Sequence, residues 1–327
     1  MPTYKELHGV NVQNLASDPS EDGIGGDIWY NTTSNELKVT SGFLTGGSWS
    51  TGGNLGTLRQ ELGAAGTQTA ALAFGGDALP ITGATEEYNG RVWTAGGTMG
   101  TARSRLPGCG LQTAGLAFGG APTPGATTGA TEEYDGSSWT AGGAMGTGRY
   151  YLAGAGTQTA GLAIGGATPP VLTATTGATE EYDGSAWTSG GTMSDARTRS
   201  GGAGTQTAGL VFAGNSTGTN RTYTEEYDGS AWTSGGSMGT ARYNLGSAGT
   251  QTAALGFGGS PSSSESYDGT SWTAFTAMGT SRYRMGSAGT QTLALGFGGF
   301  SDTSFSIVAL TEEWQGTGIL INTLTSS

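Results

Sequence analysis

The sequence predicts an all-β fold in which six small antiparallel sheets stack radially around an axis. Three observations predict it. A pattern recurs with a period of roughly 45 residues, the signature of a repeat architecture. Glycine supplies 64 of the 327 residues, about three times the average globular share, so the backbone is held in many tight turns. Short apolar runs with a two-residue period alternate with Asp-Gly and Asn-Gly dipeptides, a pattern of hairpins rather than helices.

Each unit can be followed strand by strand. Gln-Thr dipeptides begin at Gln68, Gln112, Gln158, Gln206, Gln251 and Gln291, and each turns a Gly/Ala-rich strand into a short apolar one. The apolar strands end in a small pair: Gly75-Gly76, Gly119-Gly120, Gly165-Gly166, Ala213-Gly214, Gly258-Gly259 and Gly298-Gly299. Alternate strand residues face opposite ways, so Leu72 and Phe74, or Leu116 and Phe118, share one face. Ala71 and Ala73, or Gly115 and Ala117, share the other. Neither face carries charge, so both are expected to be covered, the bulky face of one sheet fitting the small face of the next. An acidic-aromatic strand follows, from Glu86-Glu87-Tyr88 to Glu265-Ser266-Tyr267 and Glu312-Glu313-Trp314. Asn89-Gly90, Asp135-Gly136, Asp183-Gly184, Asp228-Gly229 and Asp268-Gly269 then suit two-residue turns with positive φ. They lead into strands opened by Trp93, Trp139, Trp187, Trp232 and Trp272. Last, Arg59, Arg103, Arg149, Arg197, Arg242 or Arg282 opens an inner strand.

The order of apolar strand, Gly-Gly, variable loop, Glu-x-Tyr-Asp, Trp and Met-Gly-x-x-Arg resembles the kelch repeat over residues 48–314. That resemblance implies a six-bladed kelch-type β-propeller. The units depart from the family pattern in their wealth of Gly, Ala, Ser and Thr, and in Ala213, which replaces one paired glycine. Closure of the ring has two candidate sources. Residues 46–53 match the Trp strand but have no unit before them, and the acidic strand at Trp314 has no obvious Trp strand after it. The Trp49 strand is expected to complete the sixth blade, with residues 318–324 as the competing source. The propeller is thereby assigned to residues 42–327.

Residues 1–41 stand outside the repeat. Residues 27–31 and 36–39 are extended runs around Thr32-Thr33-Ser34-Asn35, a hairpin signal, and residues 18–23 read as a loop. The stretch Gly26-Asp27-Ile28-Trp29-Tyr30-Asn31 with Leu37-Lys38-Val39 resembles short modules in tail-fibre and other virion proteins of tailed bacteriophages. This resemblance implies an attachment segment docking to other virion proteins, with Trp29 and Tyr30 as assembly contacts, in an oligomeric particle. The alternative is a hairpin packed on the propeller, with the same two aromatics as core. The opening residues lack a secretory pattern, as suits a virion component assembled in the host cytoplasm.

Composition narrows the chemistry. One cysteine, Cys109, permits no internal disulfide, and one histidine, His8, leaves the repeats without Ser-His-Asp catalysis or multi-histidine metal sites. It also excludes the copper oxidases of the kelch class, which need imidazole ligands. A net charge of −12 argues against nucleic acid, whose phosphates require a basic face. No apolar run approaches the ~18 residues of a membrane span. No cofactor and no catalytic residue is expected.

Candidate contact residues come from what breaks the repeat. In a meander, the loops after Gly-Gly and the Met-Gly-x-x-Arg loops leave the same end of the sheets. The loops at 77–84, 121–130, 167–178, 215–223, 260–264 and 300–310 differ greatly in length and content, and function tends to sit on such loops. The recurring arginines are expected to ring the central opening there, and mainly to tie strands together through carboxylates or carbonyls. Arg105, Tyr150, Tyr151, Arg199, Tyr243, Tyr283 and Arg284 follow them without uniformity and are the candidate ligand contacts, being side chains enriched where interfaces hold their energy. The Glu-Glu pairs face opposite sides of a strand and cannot jointly flank a glycosidic bond. The expected function is a non-enzymatic virion structural protein, in a tail, fibre or capsid-surface position, presenting loops to a host-surface glycan. The competing readings are a kelch-type scaffold for a protein partner and a glycan-active propeller enzyme.

Overall fold

A computed structural model describes residues 13–15, 28–33, 36–43, 47–169, 174–259, 262–316 and 319–323. The loop expected at 18–23 lies outside the described residues, as do 170–173 and 260–261 of the variable loops. The chain divides into two compact units, Trp49–Trp314 and a second made of Met1–Ser48 with Gln315–Ser327. In the second unit, Ile28–Asn31 and Glu36–Phe43 form an antiparallel hairpin pairing Trp29 with Lys38 and Tyr30 with Leu37. Gln13–Leu15 joins it in parallel on one side, and Ile319–Thr323 antiparallel on the other. The division expected at residue 41 therefore shifts. Ile319–Thr323 leaves the repeat because Glu36–Phe43 offers it a strand edge, with a register shift between Thr40 and Gly42. The side chains of Trp29 and Tyr30 fall outside what is described.

The larger unit is all-β. Among the described residues there is no helix, and the repeats form small antiparallel four-stranded sheets, a β-propeller-like architecture. The first sheet runs Gly63–Thr67, Ala70–Phe74, Thr85–Tyr88 and Trp93–Ala95 in chain order. The sheet of Gly286–Gly289, Leu293–Phe297 and Thr311–Gln315 takes Ser48–Thr51 as its fourth strand. The inner strands lie side by side in chain order from Gly63–Thr67 through Gly108–Leu111, Ala153–Thr157, Gly201–Gly204 and Gly246–Gly249 to Gly286–Gly289, which lies beside the first.

Both faces of the second strand are buried: Ala71, Leu72, Ala73 and Phe74 are all fully inaccessible. Leu72 and Phe74 pack with Ala117, Leu106, Met99 and Tyr134 of the next unit. The small side of that unit is small by necessity, since a Cβ at Gly115 would stand 2.8 Å from Leu72 Cδ2. Trp139 covers the cluster, its ring 4.9 Å from those of Phe74 and Tyr134.

A polar seam repeats beside this apolar one. Gln112 Nε2 donates to the Ala71 and Tyr88 carbonyls of the preceding sheet at 3.0 and 2.7 Å. Gln68 makes the same pair of bonds to Ala294 and Trp314. The indole N–H of Trp139 donates to Thr85 Oγ1 at 2.9 Å, and that of Trp49 to Ser264 Oγ at 3.1 Å. The Tyr134 hydroxyl donates to Glu87, Tyr182 to Glu133, Tyr267 to Glu226 and Tyr88 to Glu313. The Gln-Thr dipeptide is thus more than a turn signal: its amide ties each sheet to the one before.

Burial, and then the bond to the neighbouring carboxylate, push the Tyr88, Tyr134, Tyr182 and Tyr267 hydroxyls up to about 12. The folded value lies above the unfolded value of about 10, so this stabilisation is complete below pH ~10 and lost as pH rises through about 12. An alkaline titration is expected to show these phenolates only together with loss of the folded tryptophan fluorescence. Their appearance in the intact fold near pH ~10 would contradict the seam.

The Asp-Gly turns differ in detail from expectation. Only the glycine takes positive φ, +92° at Gly136, while Asp135 Oδ1 accepts the Ser137 and Ser138 N–H groups at 2.8 Å. The aspartate is the cap of the turn rather than one of its left-handed residues, because its carboxylate satisfies two turn donors.

Candidate functional site

The recurring arginines do not ring the opening. Arg59, Arg103, Arg149, Arg242 and Arg282 are fully buried and Arg197 nearly so. Each reaches the first Glu of its own acidic strand: Arg59 to Glu86 at 2.8 Å, Arg103 to Glu132 at 3.0 Å, Arg242 to Glu265 at 2.7 Å. The Arg103 guanidinium also donates to the Gly119 carbonyl at 2.9 Å, and the second Glu132 oxygen accepts the Gly100 N–H at 2.6 Å. This explains the spacing of Met-Gly-x-x-Arg: glycine N–H and arginine converge on one carboxylate. A guanidinium fork beside three acceptors is better satisfied inside the sheet than at its rim, which is why the expected ring does not form.

The central opening is lined instead from two residues further on. At Glu61, Arg105, Tyr151, Arg199, Asn244 and Arg284 the backbone enters the left-handed region, with φ between 54° and 59°. Their peptide groups form a closed circuit. Arg105 N–H donates to Glu61 C=O, Tyr151 to Arg105, Arg199 to Tyr151, Asn244 to Arg199, Arg284 to Asn244 and Glu61 to Arg284, at 2.7–3.0 Å. A left-handed non-glycine residue costs ~1–2 kcal/mol, and glycine would avoid that cost. In a chain with 64 glycines, none occupies these six positions.

The six side chains border a cavity of about 110 Å³, with Leu106, Leu152, Leu245 and Met285 around them. Glu61 Oε2 accepts Arg105 Nε at 2.8 Å, its Oε1 accepts the Tyr151 hydroxyl at 2.5 Å, and Arg284 Nε stands 3.4 Å from that oxygen. Arg199 lies over the rings of Tyr151 and Tyr243, 4.3 and 5.6 Å from their centres, and has no carboxylate partner among the described residues. Asn244 is only 8% exposed, and its Nδ2 has no hydrogen-bond partner. Burial and then the Glu61 charge push the Tyr151 hydroxyl up to about 12.

Of the expected contacts, Arg105, Tyr151, Arg199 and Arg284 meet at this cavity. Tyr151 is nearly buried, and Tyr150 packs against Ala121 and Ala167 beneath the rim. Tyr243 and Tyr283 are half-buried, with Arg284 5.2 Å from the Tyr283 ring centre. Glu61 and Asn244 escaped the sequence reading, although their place two residues after Arg59 and Arg242 was a usable signal. The variable loops adjoin the hub: Gln60 bridges to Asp77, Ser104 to Ala121 and Thr198 to Asn215. Between the loops at 77–81 and 121–124 lies an apolar hollow of about 390 Å³, walled by Leu79, Pro80, Ile81, Pro122 and Pro124, with Arg105 at its edge. Among the described residues no three His, Cys, Asp or Glu side chains gather as metal ligands would. No known family model matches the chain, and no curated protein matches its sequence.

Proposed function

We propose that this chain is a six-bladed kelch-type β-propeller of a tailed-bacteriophage virion, closed by the Trp49 strand, which binds a host-surface glycan on its variable-loop face without turning it over. The observation that carries the binding part is the hub. One costly backbone conformation recurs six times, yet it holds Glu, Arg, Tyr, Arg, Asn and Arg. A purely structural position would repeat its side chain, as the buried arginines do, or use glycine. Closure by Trp49 is supported by its place beside Thr311–Gln315 and its indole bond to Ser264. The virion assignment rests on the resemblance of the N-terminal stretch, which lies in a unit separate from the repeats.

A glycan-active enzyme is the second reading, because the Tyr151 hydroxyl bonded to Glu61 is the pairing a tyrosine nucleophile needs. Binding is favoured over it. Tyr151 is held strongly protonated, and Glu61 is the one carboxylate at the cavity among its described lining residues.

The test is retention of the full chain on immobilised bacterial surface polysaccharides, together with mass spectrometry of purified particles. Retention without release of reducing sugar, weakened by Tyr243→Ala with Tyr283→Ala, is the expected result. Unchanged retention in that variant would remove the hub face, sugar release would restore the enzyme, and absence of the chain from particles would remove the virion.

A further inference from the structure

The hub differs from the buried arginine sites of the repeat by its charge balance. Each buried arginine of the repeat comes with a carboxylate at 2.7–3.1 Å. At the hub, three arginines border one cavity with a single carboxylate: Arg105 and Arg284 approach Glu61, and Arg199 pairs with no carboxylate among the described residues. Two positive charges are therefore left over at a single cavity, in a chain whose net charge is −12. Like charges around one cavity repel. A donor is left over as well: Asn244 Nδ2 is buried without a partner, an arrangement that costs stability unless something accepts from it; Arg199 Nε is also unpartnered, as is the Nε of each buried arginine of the repeat.

From this imbalance we infer that the hub is an anion site that seats the carboxylate of an acidic sugar, with Arg199, Arg284, Arg105 and Asn244 as its donors. Glu61 has a positioning part. It holds Arg105 and Tyr151 in place and leaves Arg199 free of any carboxylate. A cavity of about 110 Å³ has room for a carboxylate among these donors. The ring of such a sugar would lie toward the half-buried Tyr243 and Tyr283, which flank Arg199 and Arg284. Aromatic faces beside a charged fork suit a pyranose carrying a carboxylate better than an acidic peptide, whose several charges would meet the negative remainder of the surface. This deepens, and rests on, the reading of this face as a glycan-binding one.

Calorimetric titration of the full chain with glucuronic acid, glucose and a glutamate-rich peptide tests the inference. Glucuronic acid is expected to bind with Kd of about 1 mM or tighter, glucose to give no heat, and acetate to compete. Affinity is expected to fall with added salt. Arg199→Met, which breaks no ion pair, is expected to weaken glucuronic acid by about tenfold or more with an unchanged circular dichroism spectrum. Arg284→Gln is the second variant should the first fail to fold. Equal affinity in a folded variant overturns the site, as does binding of the peptide in place of the sugar acid. Binding of neutral sugars alone overturns the hub inference and leaves the glycan reading standing; if neither acidic nor neutral saccharide is retained, both fall.

Discussion

Replacing Arg103 by Met is expected to destabilise the larger unit by ~3–5 kcal/mol, the cost of stranding one partner of a buried ion pair. Methionine fills much of the same volume, so the loss isolates charge and hydrogen bonding from packing. Glu132, 5% exposed, would keep only its contacts to the Gly100 and Thr101 N–H groups. The Gly119 carbonyl would lose its arginine donor, and the Ala130 carbonyl would keep only the Gly119 N–H. Burial already draws the Arg103 guanidinium below its ordinary value, and Glu132 opposes that shift. Urea unfolding followed by tryptophan fluorescence reads the loss, and Arg103→Met with Glu132→Gln should recover part of it. A deficit below ~1 kcal/mol, the scale of an exposed pair, would mean that Glu132 is rehydrated and the seam is not closed.

The second prediction concerns one interface that departs from the rest. Elsewhere a Tyr hydroxyl reaches across to a carboxylate of the preceding sheet, past a glycine on that sheet's Trp strand. A Cβ at Gly96 would stand 2.6 Å from the Tyr134 hydroxyl, and one at Gly142 equally close to that of Tyr182. At the interface between the sheets of Ser264–Tyr267 and Thr311–Gln315, all three residues change together. Trp314 replaces the tyrosine, Ser266 the carboxylate and Phe275 the glycine. The result is an aromatic cluster: Trp314 lies 5.4 Å from Trp49 and 6.0 Å from Phe275 in an edge arrangement, and its indole N–H donates to the Gln291 carbonyl at 3.0 Å. Trp314→Tyr alone should cost ~1–3 kcal/mol, by leaving a buried hydroxyl without its acceptor. Adding Ser266→Glu and Phe275→Gly should recover most of it, although Ser266→Glu alone gains nothing. Thermal denaturation of the single and triple variants gives the coupling directly. Additive effects would show that the three substitutions are unrelated.

Much of the fold was legible because strand periodicity and turn chemistry are local. Leu72 with Phe74, and Asp135 with Gly136, carry their geometry in neighbouring residues, and the repeat displays it six times. Recurrence also pointed to Arg59 and its counterparts as ties between strands, and the bond to Glu86 and its counterparts is that tie; only their expected place around the opening was wrong. The hub was half legible. Arg105, Tyr151, Arg199 and Arg284 were found because they break the repeat and are Arg or Tyr, whereas Glu61 and Asn244 share with them a backbone angle and a place two residues after the recurring arginine, but not a residue type.

By itself, then, the chain's sequence determined the strands, their order within each sheet and the large-against-small fit between sheets, since those follow from alternation and residue size. Only the tertiary structure decided which arginines are spent inside the sheets and which face the axis. It also decided that Gln112 and its counterparts bond to the preceding sheet, and that Trp314, Ser266 and Phe275 form one set. Those outcomes depend on where carbonyls and carboxylates from segments about 25 to 50 residues apart converge, and on a left-handed φ that six unlike side chains share. Residue type along the chain records neither.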